Sequence, residues 1–211
     1  GLYATVGPHS VALLDAATFL VAAGGLLLLR VSEPAPVPAE GHWRAEVVAG
    51  LTHLRRTVVL RQIVAAVALA MLVIGFIEVV MFAVVDQGLH HSPAFLGVLD
   101  LGFGAGSVVG GLLAAIVVRR LGAGHAVTAG LAAVAVGIGL LVVPVDTVAV
   151  GGLVLVGLGV PPLVAGMSTT LQLLTPTHLQ GRTFSAVDVL VSGPQSLSIA
   201  LGAALVAVVD F

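Results

Sequence analysis

The sequence predicts an all-α integral membrane protein with six transmembrane helices. Three observations carry this prediction. The chain is 59% apolar and only 9% charged, with a mean hydropathy of +1.19, whereas a water-facing surface calls for roughly a quarter of charged residues. Six apolar runs reach the length of about 20 residues that a helix needs to cross the hydrocarbon core. All eight basic residues are arginines, and they occupy only alternate gaps between those runs.

The runs cover residues 11–29, 62–85, 94–118, 123–143, 147–171 and 184–209. Each is helical because a backbone in lipid must satisfy its own N–H and C=O groups. Arg30, Arg44, Arg55, Arg56 and Arg61 bound or fill the first gap, Arg119 and Arg120 the third, and Arg182 the fifth. Loops rich in arginine stay cytoplasmic, so the first run travels inward and the last ends outside near Asp210. Asp86-Gln87-Gly88-Leu89-His90-His91 and Pro144-Val145-Asp146 then form short outer turns, which make neighbouring helices antiparallel.

The start and composition add less. Gly1-Leu2-Tyr3 has no basic n-region, so it is not a signal peptide. With no initiating Met, it reads as the start of a piece of a longer product. The absence of cysteine excludes disulfides and thiolate metal sites. No lysine, beside abundant Ala, Val, Gly and Leu, fits a GC-rich bacterial source and hence a bacterial inner (plasma) membrane.

The first gap is unlike the others. Glu33-Pro34-Ala35-Pro36-Val37-Pro38 is stiff, solvated and not helical throughout. Beyond it, Val47, Val48, Leu51, Leu54 and Val58 recur at helical spacing, with Arg44, Glu46, His53, Arg55 and Arg56 between them. An amphipathic helix on the cytoplasmic face is expected, with Trp43 near the headgroups. It either joins two bundles or has a regulatory or lipid-sensing role.

Several stretches together resemble the major facilitator superfamily, in the drug and siderophore exporter branch typified by enterobactin and macrolide efflux proteins. Leu14-Asp15-Ala16-Ala17-Thr18-Phe19-Leu20 is similar to a segment of the family's sixth helix. Gly50-Leu51-Thr52-His53-Leu54-Arg55-Arg56 resembles the connection between its halves. Gly102-Phe103-Gly104-Ala105-Gly106, Gly110-Gly111 and Arg119-Arg120-Leu121-Gly122 resemble helix eight and the loop after it, without the acidic residue of the fuller loop motif. Leu171-Gln172-Leu173-Leu174-Thr175-Pro176, running on through Gly181-Arg182-Thr183-Phe184, is similar to the turn between helices ten and eleven.

This resemblance implies a partial major facilitator (12-helix) fold covering helices six to eleven. Residues 1–30 would be the last helix of the N-terminal half and 31–61 the cytoplasmic inter-half loop. Residues 62–211 would be five helices of the C-terminal half, the twelfth missing. Arg119, Arg120, Gly181 and Arg182 would mark the cytoplasmic gate and topology. The missing N-terminal half of the same protein would then be a partner, as would the lipid bilayer, protons and a small-molecule substrate.

Ionisable groups inside the bilayer cost roughly 2.5–3.5 kcal/mol on insertion scales, so they usually face protein or a wet cavity. Glu78 lies about 10 Å inside the outer end of its span, where a carboxyl suits the uptake and release of a proton. Its alternative is a protonated group bonded to a neighbouring helix. Asp100, on the next and antiparallel span, reaches a similar depth and approaches Glu78 if the two faces agree. Asp188, near the cytoplasmic start of the last span, is a pathway residue, a helix cap or a partner of Arg119, Arg120 or Arg182. For Asp15 the helix dipole is explanation enough.

Gly102, Gly106 and Gly110 share one helix face and permit close backbone approach, as do Ser198 and Gly202 on the last span. Pro161-Pro162 and Pro194 are expected to break or bend their spans. Gln195, just after Pro194, is either a substrate contact or an interhelical hydrogen-bonding group.

Metalloprotease, nucleophile-elbow, phosphate-loop and paired-Asp signatures are missing, so no enzyme activity and no cofactor are expected. The seven histidines are scattered, and His90-His91 have the wrong spacing for one helical face. They read as interfacial, with no metal site expected. Topology accounts for the arginines, so no nucleic acid partner is expected. The expected function is secondary active, proton-coupled export of a small amphiphilic molecule by alternating access. A half-size dimerising transporter and a non-transporting scaffold subunit are the alternatives.

Overall fold

The computed structural model describes residues 2–28 and 43–208, which are helical apart from short turns. The proline-rich stretch and Arg30 lie outside the described residues, as do the side chains of Trp43 and Arg44. The chain forms two compact units, Gly1–Glu40 and Gly41–Phe211.

In the first unit α1 runs Leu2–Leu27, broken at Gly7, whose φ of 77° and ψ of 161° are open to glycine and costly for other residues. Its described apolar stretch, Ala12–Leu27, is shorter than a full crossing. Asp15 lies two turns past the break, and its carbonyl accepts a hydrogen bond from Thr18 Oγ1 at 2.7 Å. The helix dipole acts within the first turn, so it does not explain Asp15 as the sequence suggested.

The second unit holds α2 (Trp43–Arg56), α3 (Val58–Ala83), α4 (Leu96–Leu121), α5 (Ala123–Leu140), α6 (Asp146–Leu174) and α7 (Thr177–Val208). Among the described residues, five helices, α3 to α7, are long and apolar enough to cross a membrane. Two boundaries differ from the expected ones in a way that matters. A π-helical turn at Val84–Gly88 continues α3 into the turn that leads to α4. At the other end, α7 begins at Thr177, so the Gly181-Arg182 segment is helical rather than a turn. Polar residues extend that helix beyond its apolar run, and Gln180 Nε2 ties its start to the carbonyls of Gln172 and Thr175 at 3.2 and 3.3 Å.

Helix direction alternates, and the two ends have separate cores. Val85 and Leu89 pack with Leu99, Val134, Ala149 and Leu153 at one end. Leu54, Leu60, Val64, Leu171 and Val187 pack at the other. Arg55, Arg56 and Arg61, the last turn of α4 with Arg119 and Arg120, and Arg182 early in α7 all belong to this second end. We call it the arginine end. Gly122 alone joins α4 to α5, at φ 84°, a turn that favours glycine.

Glycines set the packing. α6 lies between α4 and α5, and a methyl group added at Gly106 or Gly110 would strike the α6 backbone at Val154 or Leu158. Gly157 answers from α6, pressed against Phe103 and Ser107 of α4. On its other side α6 meets α5 through Gly130 against Gly159 and Gly137 against Gly152. Such small residues allow the close backbone approach that holds helices together in lipid.

Of the expected break or bend at Pro161-Pro162 there is no break: α6 runs through both prolines. Pro162 deprives the Leu158 carbonyl of its helical donor. That oxygen lies 2.5 Å from where a Gly110 methyl would stand, so only glycine fits beside it. Pro194 is likewise held inside a continuous α7. The second pair is α3 with α7, closed by Ser198 Oγ donating to the Leu72 carbonyl at 2.6 Å and by Gly202 against Val79.

α2 docks on this pair at the arginine end. Leu54 is buried in the core there, and His53 Nε2 bonds to the Leu174 carbonyl at 3.1 Å. A methyl group at Gly50 would lie 2.7 Å from the Arg182 carbonyl oxygen. One face of the amphipathic helix therefore meets protein rather than lipid. Gly50→Val is expected to undock α2 at a cost of about 1–3 kcal/mol, read as a lower melting temperature and faster protease cleavage within residues 43–56.

Candidate functional site

Glu78 and Asp100 line one cavity of about 340 Å³. Helical spacing places them there. On α3, Ile74, Glu78 and Phe82 recur every four residues, and on α4 Leu96, Asp100 and Phe103 follow at four and three, so each helix turns one stripe to the cavity. Leu99, Ile138 of α5 and Leu153 and Val156 of α6 complete the apolar wall. Both acids are exposed residues. The two helices thus both contribute an acid to the same cavity lining. An apolar space holding two acids and no basic side chain among its lining can bind an amphiphile and hold a proton.

Asp188 and Gln195 are not part of this cavity's lining. Since α7 starts at Thr177, Asp188 is about three turns in, too far from the terminus for a cap. Ser192 Oγ donates to Asp188 Oδ1 at 3.4 Å, and Ser196 Oγ to the Ser192 carbonyl at 3.0 Å. Asp188, Ser192 and Ser196 form an exposed polar stripe at four-residue spacing. Gln195 is half-buried at the α3–α7 contact, where its carbonyl oxygen and Cγ lie 2.7 and 3.1 Å from where a Gly75 methyl would be.

Arg119 and Arg120 are exposed in the last turn of α4, where cations suit the helix dipole. Gly181 is exposed in α7 with open space beside it, and the Arg182 backbone forms part of the seat for α2. Gly102, Gly106 and Gly110 are buried against α6.

Sequence reasoning missed a contact at the other end of the bundle. His91 Nε2 bonds to Asp146 Oδ2 at 2.8 Å, and its ring stacks on Phe95 with centroids 4.3 Å apart. This joins the α3–α4 turn to the first turn of α6 next to the cavity wall. Partners 55 residues apart leave no local signal, although an acid at the start of a helix is a clue on the Asp146 side. Gly75, the seat of Gln195, carried no motif at all.

The sequence model of the Major Facilitator Superfamily matches residues 1–202. Neither the curated proteins nor the solved structures supply a significant match. Five long apolar helices among the described residues and a family match over nearly its whole length show that the chain belongs to the Major Facilitator Superfamily of membrane transporters.

Proposed function

We propose that the chain serves proton-coupled export of a small amphiphilic molecule by alternating access, as part of a transporter of the drug and siderophore branch. The convergence of Glu78 and Asp100 on one apolar cavity carries this reading. Glu78 takes a proton when substrate leaves, Asp100 shares the charge, and the apolar wall holds the substrate's hydrocarbon. In this reading residues 1–30 are helix six, residues 31–61 the inter-half loop and 62–211 helices seven to eleven, in a bacterial inner membrane with the arginine end cytoplasmic.

The α7 stripe supports a complementary half. Polar residues of a membrane helix turn to protein or to a wet pathway rather than lipid, so Asp188, Ser192 and Ser196 face the route between two halves. Gln195 lies beside it. Liposomes carrying the full-length parent, complementary half included, and an internal pH dye test the proposal against a panel of amphiphiles. A substrate is expected to move protons in the opposite direction to itself. Transport of every accepted amphiphile without any pH change would refute proton coupling.

A further inference from the structure

We propose that Arg55, Arg56 and Arg61 hold the headgroup of an anionic phospholipid at the junction of α2 and α3. Arg55 and Arg56 end α2, Thr57 separates the helices, and Arg61 follows one turn into α3. All three are exposed. Among the described residues none of them forms an ion pair with a carboxylate.

Arg61 is the telling member. Arg55 and Arg56 sit at a helix C-terminus, where the dipole welcomes cations. Arg61 sits near the positive end of a 26-residue helix whose first turn holds no acid. A cation there is disfavoured unless an anion joins it.

The surroundings select a lipid over a soluble anion. Val58 and Val59, between the arginines, are 52% and 49% exposed. Leu60 is fully buried and fixes the helix face. Below Arg61 the exposed side continues through Ala65, Leu69 and Leu72 into the membrane span. Phosphate-binding cations thus stand directly above an apolar track that an acyl chain can follow. Juxtamembrane arginine clusters attract anionic lipid in this way, and the bidentate guanidinium suits a phosphodiester.

The test uses the whole chain in nanodiscs of phosphatidylcholine mixed with phosphatidylglycerol, with bound lipid identified by native mass spectrometry. Several-fold enrichment of phosphatidylglycerol is expected, lost in Arg55→Gln/Arg56→Gln/Arg61→Gln. It should survive in the matching triple Lys variant and in Arg119→Gln/Arg120→Gln, and inorganic phosphate should not displace the lipid. Unchanged enrichment in the triple Gln variant would overturn the proposal, and so would displacement by phosphate. Should the Gln variant fail to fold, the unsubstituted protein decides: equal retention of the two lipids overturns the site.

Discussion

Glu78→Gln in the full-length parent is expected to reduce pH-gradient-driven efflux to the level of protein-free liposomes while leaving expression and melting temperature unchanged. The side chain belongs to an exposed residue on a cavity wall, so an isosteric amide keeps the packing. What the amide removes is the capacity to exchange a proton. Exchange of substrate for substrate, which moves no net proton, should survive. Asp100→Asn is expected to weaken efflux less, because Glu78 stays in place to carry the proton. Full gradient-driven efflux by Glu78→Gln would remove that residue from the mechanism.

The second large effect is structural. Gly106→Leu is expected to destabilise the protein by more than about 3 kcal/mol, beyond the usual overpacking range of about 1–3 kcal/mol. A side chain at Gly106 meets the backbone of Val154, which no rotamer change can move aside. Helices α4 and α6 must separate, and the Gly157 contact opens with them. Gly111→Leu on the same helix is the control, because nothing lies within 4 Å of its added carbon. Yield of monodisperse protein in detergent and thermal melting read the difference. Equal melting of the two variants would contradict the glycine-seated packing.

What was legible in the sequence is what depends on composition and on short-range spacing. Alternate placement of arginines predicted helix direction, and the described arginines do gather at one end. The four-residue interval of Gly102, Gly106 and Gly110 announced a close helix contact, and α6 fills it. Equal depths of Glu78 and Asp100 suggested a shared site, and one cavity takes both.

Legibility failed where a helix end depends on distant partners. The start of α7 was placed seven residues late, since residues 177–183 are polar and their helix is held by contacts to α6 and α2. That error made Asp188 look like a cap. The sequence left a break or a bend open at Pro161-Pro162, and α6 runs through both prolines. His91 and Asp146 are joined only through the fold.

The most direct test of the central claim, that one cavity handles both proton and substrate, is proton release on substrate binding. The purified protein in lightly buffered detergent solution receives a saturating amphiphile identified in the liposome panel, and a pH electrode records the response. The account predicts acidification by the unsubstituted protein and none by Glu78→Gln, with substrate still bound by the variant. Undiminished proton release from Glu78→Gln would contradict it.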